Sequence, residues 1–266
     1  MRNFIPCFAL FRTLLERSDH YVMEHAQRFQ VDESHNHLHS RQVLYYTKEI
    51  LQQRPPIKPY DMVMASLGAV LHDVPDSKYI PQHQNTPVLR HAIETILPWS
   101  LHSTLGADLE KMIPHLSFSK TVQKQGDRLH YTLPEAMKNF AHLDTYHVIR
   151  QADLLSSYHT KRTLLYRMHK NQYKLSKEDA LEEARDLFRD RMALLRPSGM
   201  FDKDIDHHLA KPLEKKALER WDTIPSSFPT WEAMLDHFEM DPEESWEKTV
   251  DDLEFFLKKN MGTVNL

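Results

Sequence analysis

An all-α fold is what this sequence predicts, and three observations carry the prediction. Only 5 of the 266 residues are glycine, too few for a turn-rich β fold. Apolar residues recur at helical spacing in segment after segment. Polar, proline-bearing stretches separate those segments, and proline ends a helix or opens its first turn.

Composition narrows the class. The chain is 41% hydrophobic and 27% charged, ordinary for a globular protein, and long enough for one substantial core or two small ones. A net charge of −4 gives no general affinity for nucleic-acid phosphates or an anionic membrane. The single cysteine, Cys7, excludes an intrachain disulfide, so a reducing compartment, the cytoplasm, is the expectation. Residues 4–11 are apolar but short and interrupted by Pro6, which reads as the start of a packed helix and not as a signal peptide. No run reaches the roughly 18 apolar residues that span a bilayer.

The elements follow in order. Residues 8–30 read as a helix with Leu10, Leu14, Tyr21, Ala26 and Phe29 near one face. Asp32 or Ser34 can cap a second helix that runs to about Gln53, buries Val43, Thr47, Ile50 and Leu51, and is broken by Pro55-Pro56. The run Met62–Leu71 is apolar throughout and predicts a buried helix over about 60–72, with Pro75 as its stop. Residues 75–90 read as a polar loop, 88–97 and 104–113 as short helices, and 120–133 as an exposed loop. Pro134 is expected to open the next long helix, where Phe140, Leu143, Ile149 and Ala152 mark a buried stripe that carries Asp153 and continues towards Met168. Ser176-Lys177-Glu178-Asp179 is a capping box for a helix to about Leu195, stopped by Pro197-Ser198-Gly199. Another helix covers 202–222. After a Pro/Ser linker at 225–229 come 230–239 and then 242–259, with Asp241 as cap and Pro242 at the first position. Trp246, Val250, Leu253 and Leu257 form one stripe there, which must be buried against the domain or a second subunit, so a homodimer stays open. The expected division is one domain over 1–225 and a helical appendage over 226–266.

The buried run 62–71 ends in His72-Asp73. Taken alone, that doublet is most simply a helix C-terminus, with His72 at the dipole and Asp73 in a turn. Three predicted helices, however, each place a metal-ligating residue on an otherwise apolar face: His39, the pair His72 and Asp73, and Asp153. A buried carboxylate is costly unless paired or metal-bound, and bundle cores are a common place for metal sites. Two imidazoles and two carboxylates suit Mn, Fe, Zn, Ni or Co better than Ca; Mn is the first expectation, and Mg, not a transition metal, is a further alternative.

This ordered set resembles the HD superfamily of metal-dependent phosphohydrolases: a His, a His-Asp doublet, then a distant Asp. His39-Ser40-Arg41-Gln42-Val43, Leu71-His72-Asp73 and Gln151-Ala152-Asp153 are the three pieces. Asp32-x-Ser34-His35, the continuation Asp76-x-Lys78, Ile113-x-x-Leu116-Ser117-Phe118-Ser119, Ala152–Tyr158 with Arg162, and Leu187-Phe188-Arg189-Asp190-Arg191 are similar to a subgroup of small HD hydrolases. Some bacterial members of that subgroup are nucleotide pyrophosphohydrolases. The resemblance covers roughly residues 8–222. It departs at Gln151, where bacterial members usually carry Asp, and at Ser156-Ser157-Tyr158, where they continue with glycine; both bear on the substrate more than on the metal.

The resemblance implies an HD-domain helical bundle that hydrolyses a phosphate ester or anhydride, with a nucleotide as the expected substrate. It implies His39, His72, Asp73 and Asp153 as metal ligands. Asp76 is the candidate for general acid/base or water-positioning work, because related stringent-response hydrolases carry an acidic residue there; Lys78 can neutralise a phosphate oxygen. His35, one helical turn before His39, Arg162, nine residues after Asp153, and Ser117 are candidate substrate contacts. The rivals are a catalytically silent HD module that binds a nucleotide or a partner protein, and an HD-type di-iron oxygenase, which would need His91, His102 or His115 in a second site.

Overall fold

The structure is a computed structural model that describes residues 8–54, 57–171, 174–225, 227–238 and 245–262. Cys7, the Pro55-Pro56 break, and the Asp241 cap with Pro242 lie outside the described residues. The fold is all-α, with one small hairpin. In chain order the helices are α1 (Phe8–Phe29), α2 (His37–Gln52), α3 (Pro59–Leu71), α4 (Asn85–Ile96), α5 (Ala107–Met112) and α6 (Phe118–Thr121). Strands β1 (Val122–Gln125) and β2 (Arg128–Tyr131) follow. Then come α7 (Leu143–Ser156), α8 (Thr160–Lys170), α9 (Lys177–Arg191), α10 (Lys203–Ile205), α11 (Lys211–Thr223), α12 (Trp231–His237) and α13 (Trp246–Gly262).

α3 is the axis. A helix that is apolar all round is buried all round, and every residue from Met62 to Leu71 is buried among α1, α2 and α7. Gly68 allows the closest approach: a Cβ there would stand 2.6 Å from the Ile149 side chain and 2.9 Å from that of Met112. One turn further on, α3 ends at His72, so the packing that seats Gly68 against α7 also sets the doublet beside Asp153.

Four local expectations are corrected. The N-cap of α2 is Asn36, whose Oδ1 accepts from Leu38 N at 2.9 Å; Asp32 instead closes a turn, accepting from Ser34 N at 2.8 Å. Residues 122–131 are an antiparallel hairpin and not a loop, with Val122 opposite Tyr131 and Gly126 at φ 60° in its two-residue turn. Its strands are polar except for the buried Val122 and Leu129, so they give no clear alternation. Pro134 opens only a 3₁₀ turn, Glu135–Met137, and the long helix starts at Leu143. That helix also stops early, at Ser156, before α8. The hydroxyls of Ser156 and Ser157 donate to the Asp153 and Leu154 carbonyls, both at 2.6 Å, and serines bonded to the preceding turn favour such a bend.

The stripe on α13 is buried by this same chain. Val250, Leu253 and Leu257 pack on α1 and α2, Arg12 pairs with Asp251 and Glu254, and Lys48, 2% exposed, reaches Asp252 at 3.4 Å. α12 is tied in through Phe238, whose ring lies 5.3 Å from that of Trp221. Ending the chain at Thr223 should therefore cost stability. Three aliphatic side chains at roughly 1.5–3 kcal/mol each approach the about 5–15 kcal/mol that holds a domain together. A circular-dichroism melt of the truncated chain should show a strongly lowered or lost transition; an unchanged midpoint would refute this.

His25 gives the fold an acid limit. Its ring sits between Tyr21 (6.1 Å) and Phe29 (4.7 Å), and burial first, then Arg28, pushes its pKa down to about 4. The folded state thus favours neutral His25. Its contribution is complete above the unfolded value of about 6.5 and fades as pH falls towards 4, a loss of about 2 kcal/mol at pH 5. His25→Phe should flatten the stability profile between pH 6.5 and 5, as read by urea unfolding; parallel profiles for the two proteins would sink this.

Candidate metal centre

Three helices deliver the donor atoms. α2 supplies His39, the end of α3 supplies His72 and Asp73, and α7 supplies Asp153. The Nε2 atoms of His39 and His72 face each other at 3.1 Å. Asp73 Oδ2 lies 3.4 Å from both, and Asp153 Oδ1 lies 3.4 Å from His39 Nε2 and 3.9 Å from His72 Nε2. His39, His72 and Asp73 offer ligand atoms within 4.8 Å of one another.

The surroundings fit a divalent cation. His72 Nδ1–H donates to the Ala69 carbonyl at 2.8 Å, which turns its Nε2 lone pair into the cluster, as the outer hydrogen bond of a ligating histidine does. Asp73 Oδ2 is buried and accepts no hydrogen bond from the described residues. Burial disfavours charge on both carboxylates, yet His72 and His39 hold Asp73 well below the usual range, and His39, His72 and Arg162 do the same for Asp153. Two ionised carboxylates therefore balance a dication. Burial opposes charge on His72 too, but Asp73 raises its pKa to about 9, so metal uptake at neutral pH must displace a proton. Burial and Arg162 push His39 the other way. His39 Nδ1 has no hydrogen-bond partner among the described residues, where only His72 is oriented from behind.

Beside this cluster lies a cavity with about 180 Å³ of space for water. His35, His72, Asp73, Asp76, Lys78, Ser117, Asp153 and Arg162 all line it, and His39 reaches it through its partners. The turn after α3 places Asp76 and Lys78. Asp76 Oδ1 accepts from Lys78 N at 2.9 Å and its Oδ2 pairs with Lys78 Nζ at 3.2 Å, so Asp76 is a turn residue and a cavity residue at once. Lys78 Nζ also donates to His35 Nε2 at 3.0 Å. His35 precedes α2, so a turn and not a shared helix points it with His39; the two rings are 6.0 Å apart. Behind His35 stand Ser34, Tyr79 and Asp32, with Ser34 Oγ 2.7 Å from His35 Nδ1.

The α7–α8 break carries Arg162 back over the cluster. It donates to the Ser34 carbonyl at 2.8 Å, Ser156 Oγ at 2.9 Å and His39 Nε2 at 3.0 Å, and lies 3.7 Å from Asp153. Ser117 is exposed at the cavity mouth, 3.1 Å from Ser119.

No family model, curated protein or solved structure matches this chain. Gln151 is fully buried and clamps the Asp202 loop, donating to Asp202 Oδ2 at 2.9 Å and accepting from Asp202 N at 2.7 Å. It stands outside the cavity lining, so its replacement of an acidic residue leaves the donor set intact. His91, His102 and His115 also lie outside that lining, and His102 donates to the Leu97 carbonyl at 3.0 Å. Among the described residues His39, His72 and Asp73 are the one group close enough to hold a metal.

Sequence reasoning passed over Tyr79 and Tyr166, and it quoted Arg191 only within the stretch Leu187–Arg191, without a role. Tyr166 carries Lys78 Nζ 5.9 Å above its ring, and Arg191 lines the cavity. Arg191 had a signal. It falls three residues after Phe188 and seven after Ala184, on the buried stripe of α9. The two tyrosines had none: Tyr79 falls in the stretch read as a polar loop, and an aromatic on a helix, such as Tyr166, reads as core.

Proposed function

We propose that the protein is a metal-dependent phosphohydrolase of the HD type, acting on a small phosphorylated molecule, a nucleotide first. One observation carries the reading: two imidazoles and two carboxylates from three helices converge beside a cavity that also holds a carboxylate, a lysine and an arginine. His39, His72, Asp73 and Asp153 would hold the cation, with Mn as the first choice. The bound cation supplies Lewis-acid chemistry, lowering the pKa of water and polarising a phosphoryl oxygen.

The remaining work falls to side chains of the chain. Lys78 neutralises a non-bridging phosphate oxygen from its position between Asp76 and His35. Asp76 orients the attacking water and takes its proton, or returns one to the leaving oxygen. Arg162, anchored on Ser34 and Ser156, brings its positive charge to the substrate beside Asp153, and its contact with His39 would give way to the cation. Ser117 contacts the part of the substrate nearest the mouth, and His35, held from behind, accepts from Lys78 and keeps that lysine over the phosphate.

The test is hydrolysis by purified protein with Mn²⁺, and in parallel Co²⁺, Ni²⁺, Zn²⁺ and Mg²⁺, against a panel of nucleotides and phosphate esters. Release of phosphate or pyrophosphate that depends on both metal and Asp153 is the expected result. Metal-loaded protein that binds a nucleotide without turning it over would instead favour the silent module.

A further inference from the structure

The C-terminal end of α9 brings to the cavity an arginine for which the proposed chemistry has no task. The guanidinium of Arg191 stands with its Cζ 3.9 Å over the Phe118 ring. Three other arginines near it have partners. Arg162 is held by Ser34 and Ser156, Arg167 lies 3.9 Å from Glu183, and Arg196 is paired with Asp206 at 2.8 Å and Glu214 at 2.5 Å. Arg191 has no carboxylate within ion-pair distance among the described residues, and its neighbour Asp190 turns to Lys124 at 3.5 Å. Leu187, Met192, Leu195 and Phe118 line the same cavity and give it an apolar part. Burial lowers its pKa, while Tyr166 and Asp153 act the other way from beyond contact range.

Arg191 is half-buried, so its guanidinium has given up part of its water without gaining an acid, and an arriving anion would make good that loss. Its planar fork matches a phosphate or carboxylate, and stacking on an aromatic ring fixes the direction in which the fork points. We infer that Arg191, backed by Phe118, receives a second phosphate of the substrate, next to the one handled at the His39, His72, Asp73 and Asp153 cluster, so that the site selects a diphosphate chain over a single phosphate. The inference rests on the phosphohydrolase reading, but it concerns binding, so it is tested without turnover.

Two ligands that are not hydrolysed make the test: methylenediphosphonate and methylphosphonate, titrated by calorimetry into full-length, Mn²⁺-loaded protein. The wild type should bind the diphosphonate roughly 10- to 100-fold more tightly, the worth of a charge-assisted hydrogen-bonding pair. Arg191→Gln should lose that preference while its affinity for methylphosphonate and its metal content stay as in the wild type. Arg191→Lys, which keeps charge but not the fork, should fall between and serves alone if the glutamine variant does not fold. Metal content measured after titration controls for chelation, which would not depend on Arg191. A wild type with no preference, or a glutamine variant in which both ligands weaken equally or neither weakens, overturns the inference. Loss of preference in Arg191→Gln together with absent hydrolysis by the wild type would overturn the proposed function and leave this inference standing.

Discussion

Asp73→Ala is expected to empty the protein of its metal. Asp73 Oδ2 lies 3.4 Å from the Nε2 atoms of both His39 and His72, so its removal takes away the donor that joins the two imidazoles. What remains is two ring nitrogens facing each other at 3.1 Å, with Asp153 their one carboxylate within ion-pair range. Elemental analysis should find about one divalent transition metal per chain in the wild type and little in the variant, since deprotonated ligands and binding are linked. Stability should fall as well. The free energy of metal binding to the folded chain is lost with the metal, so the variant should unfold at a lower midpoint than the loaded wild type. Equal metal in both proteins would mean that these residues are not the ligands.

Asp76→Asn should separate metal holding from chemistry. The asparagine Oδ1 can still accept from Lys78 N, the bond that shapes the turn at 2.9 Å, so the fold and the metal should survive. What disappears is the charge facing Lys78 Nζ at 3.2 Å and the capacity to carry a proton. General acid/base contributions are typically ~100- to 10,000-fold, and the loss should fall mainly on kcat. The contact between Lys78 and Asp76 complicates the assignment in a useful way. If Asp76 only positions Lys78, then Lys78→Ala should reproduce the defect, with a raised KM from poorer handling of phosphate. If Asp76 moves the proton, Asp76→Asn should be much the slower variant in kcat. Turnover close to wild type in Asp76→Asn would leave Asp76 as a turn residue, and His35, held behind by Ser34, Tyr79 and Asp32, becomes the group to examine.

The sequence alone determined the helical character of the protein, the buried axis and the choice of four candidate donors. Five glycines, 3.6-residue periodicity and an apolar run over 62–71 are local properties, readable residue by residue. His39, His72, Asp73 and Asp153 stood out because a metal-ligating side chain on a buried stripe needs a reason. Only the tertiary structure decided what those residues face. The break between α7 and α8, which returns Arg162 to His39, depends on two serine hydroxyls that bond back into the preceding turn; the same pair could sit harmlessly in a continuous helix. The hairpin at 122–131 is held by its contact with a distant segment, where Leu129 N donates to Ser198 Oγ at 2.8 Å, and polar strands carry no pattern that announces this. Gln151 looked like a change in the site and proved to be a clamp on the Asp202 loop, because its neighbours on α7 turn to different faces. Arg191 needed the structure most. A charge on a buried stripe is visible in the sequence, but whether an acid meets it depends on chain segments far away, and here none within the described residues does.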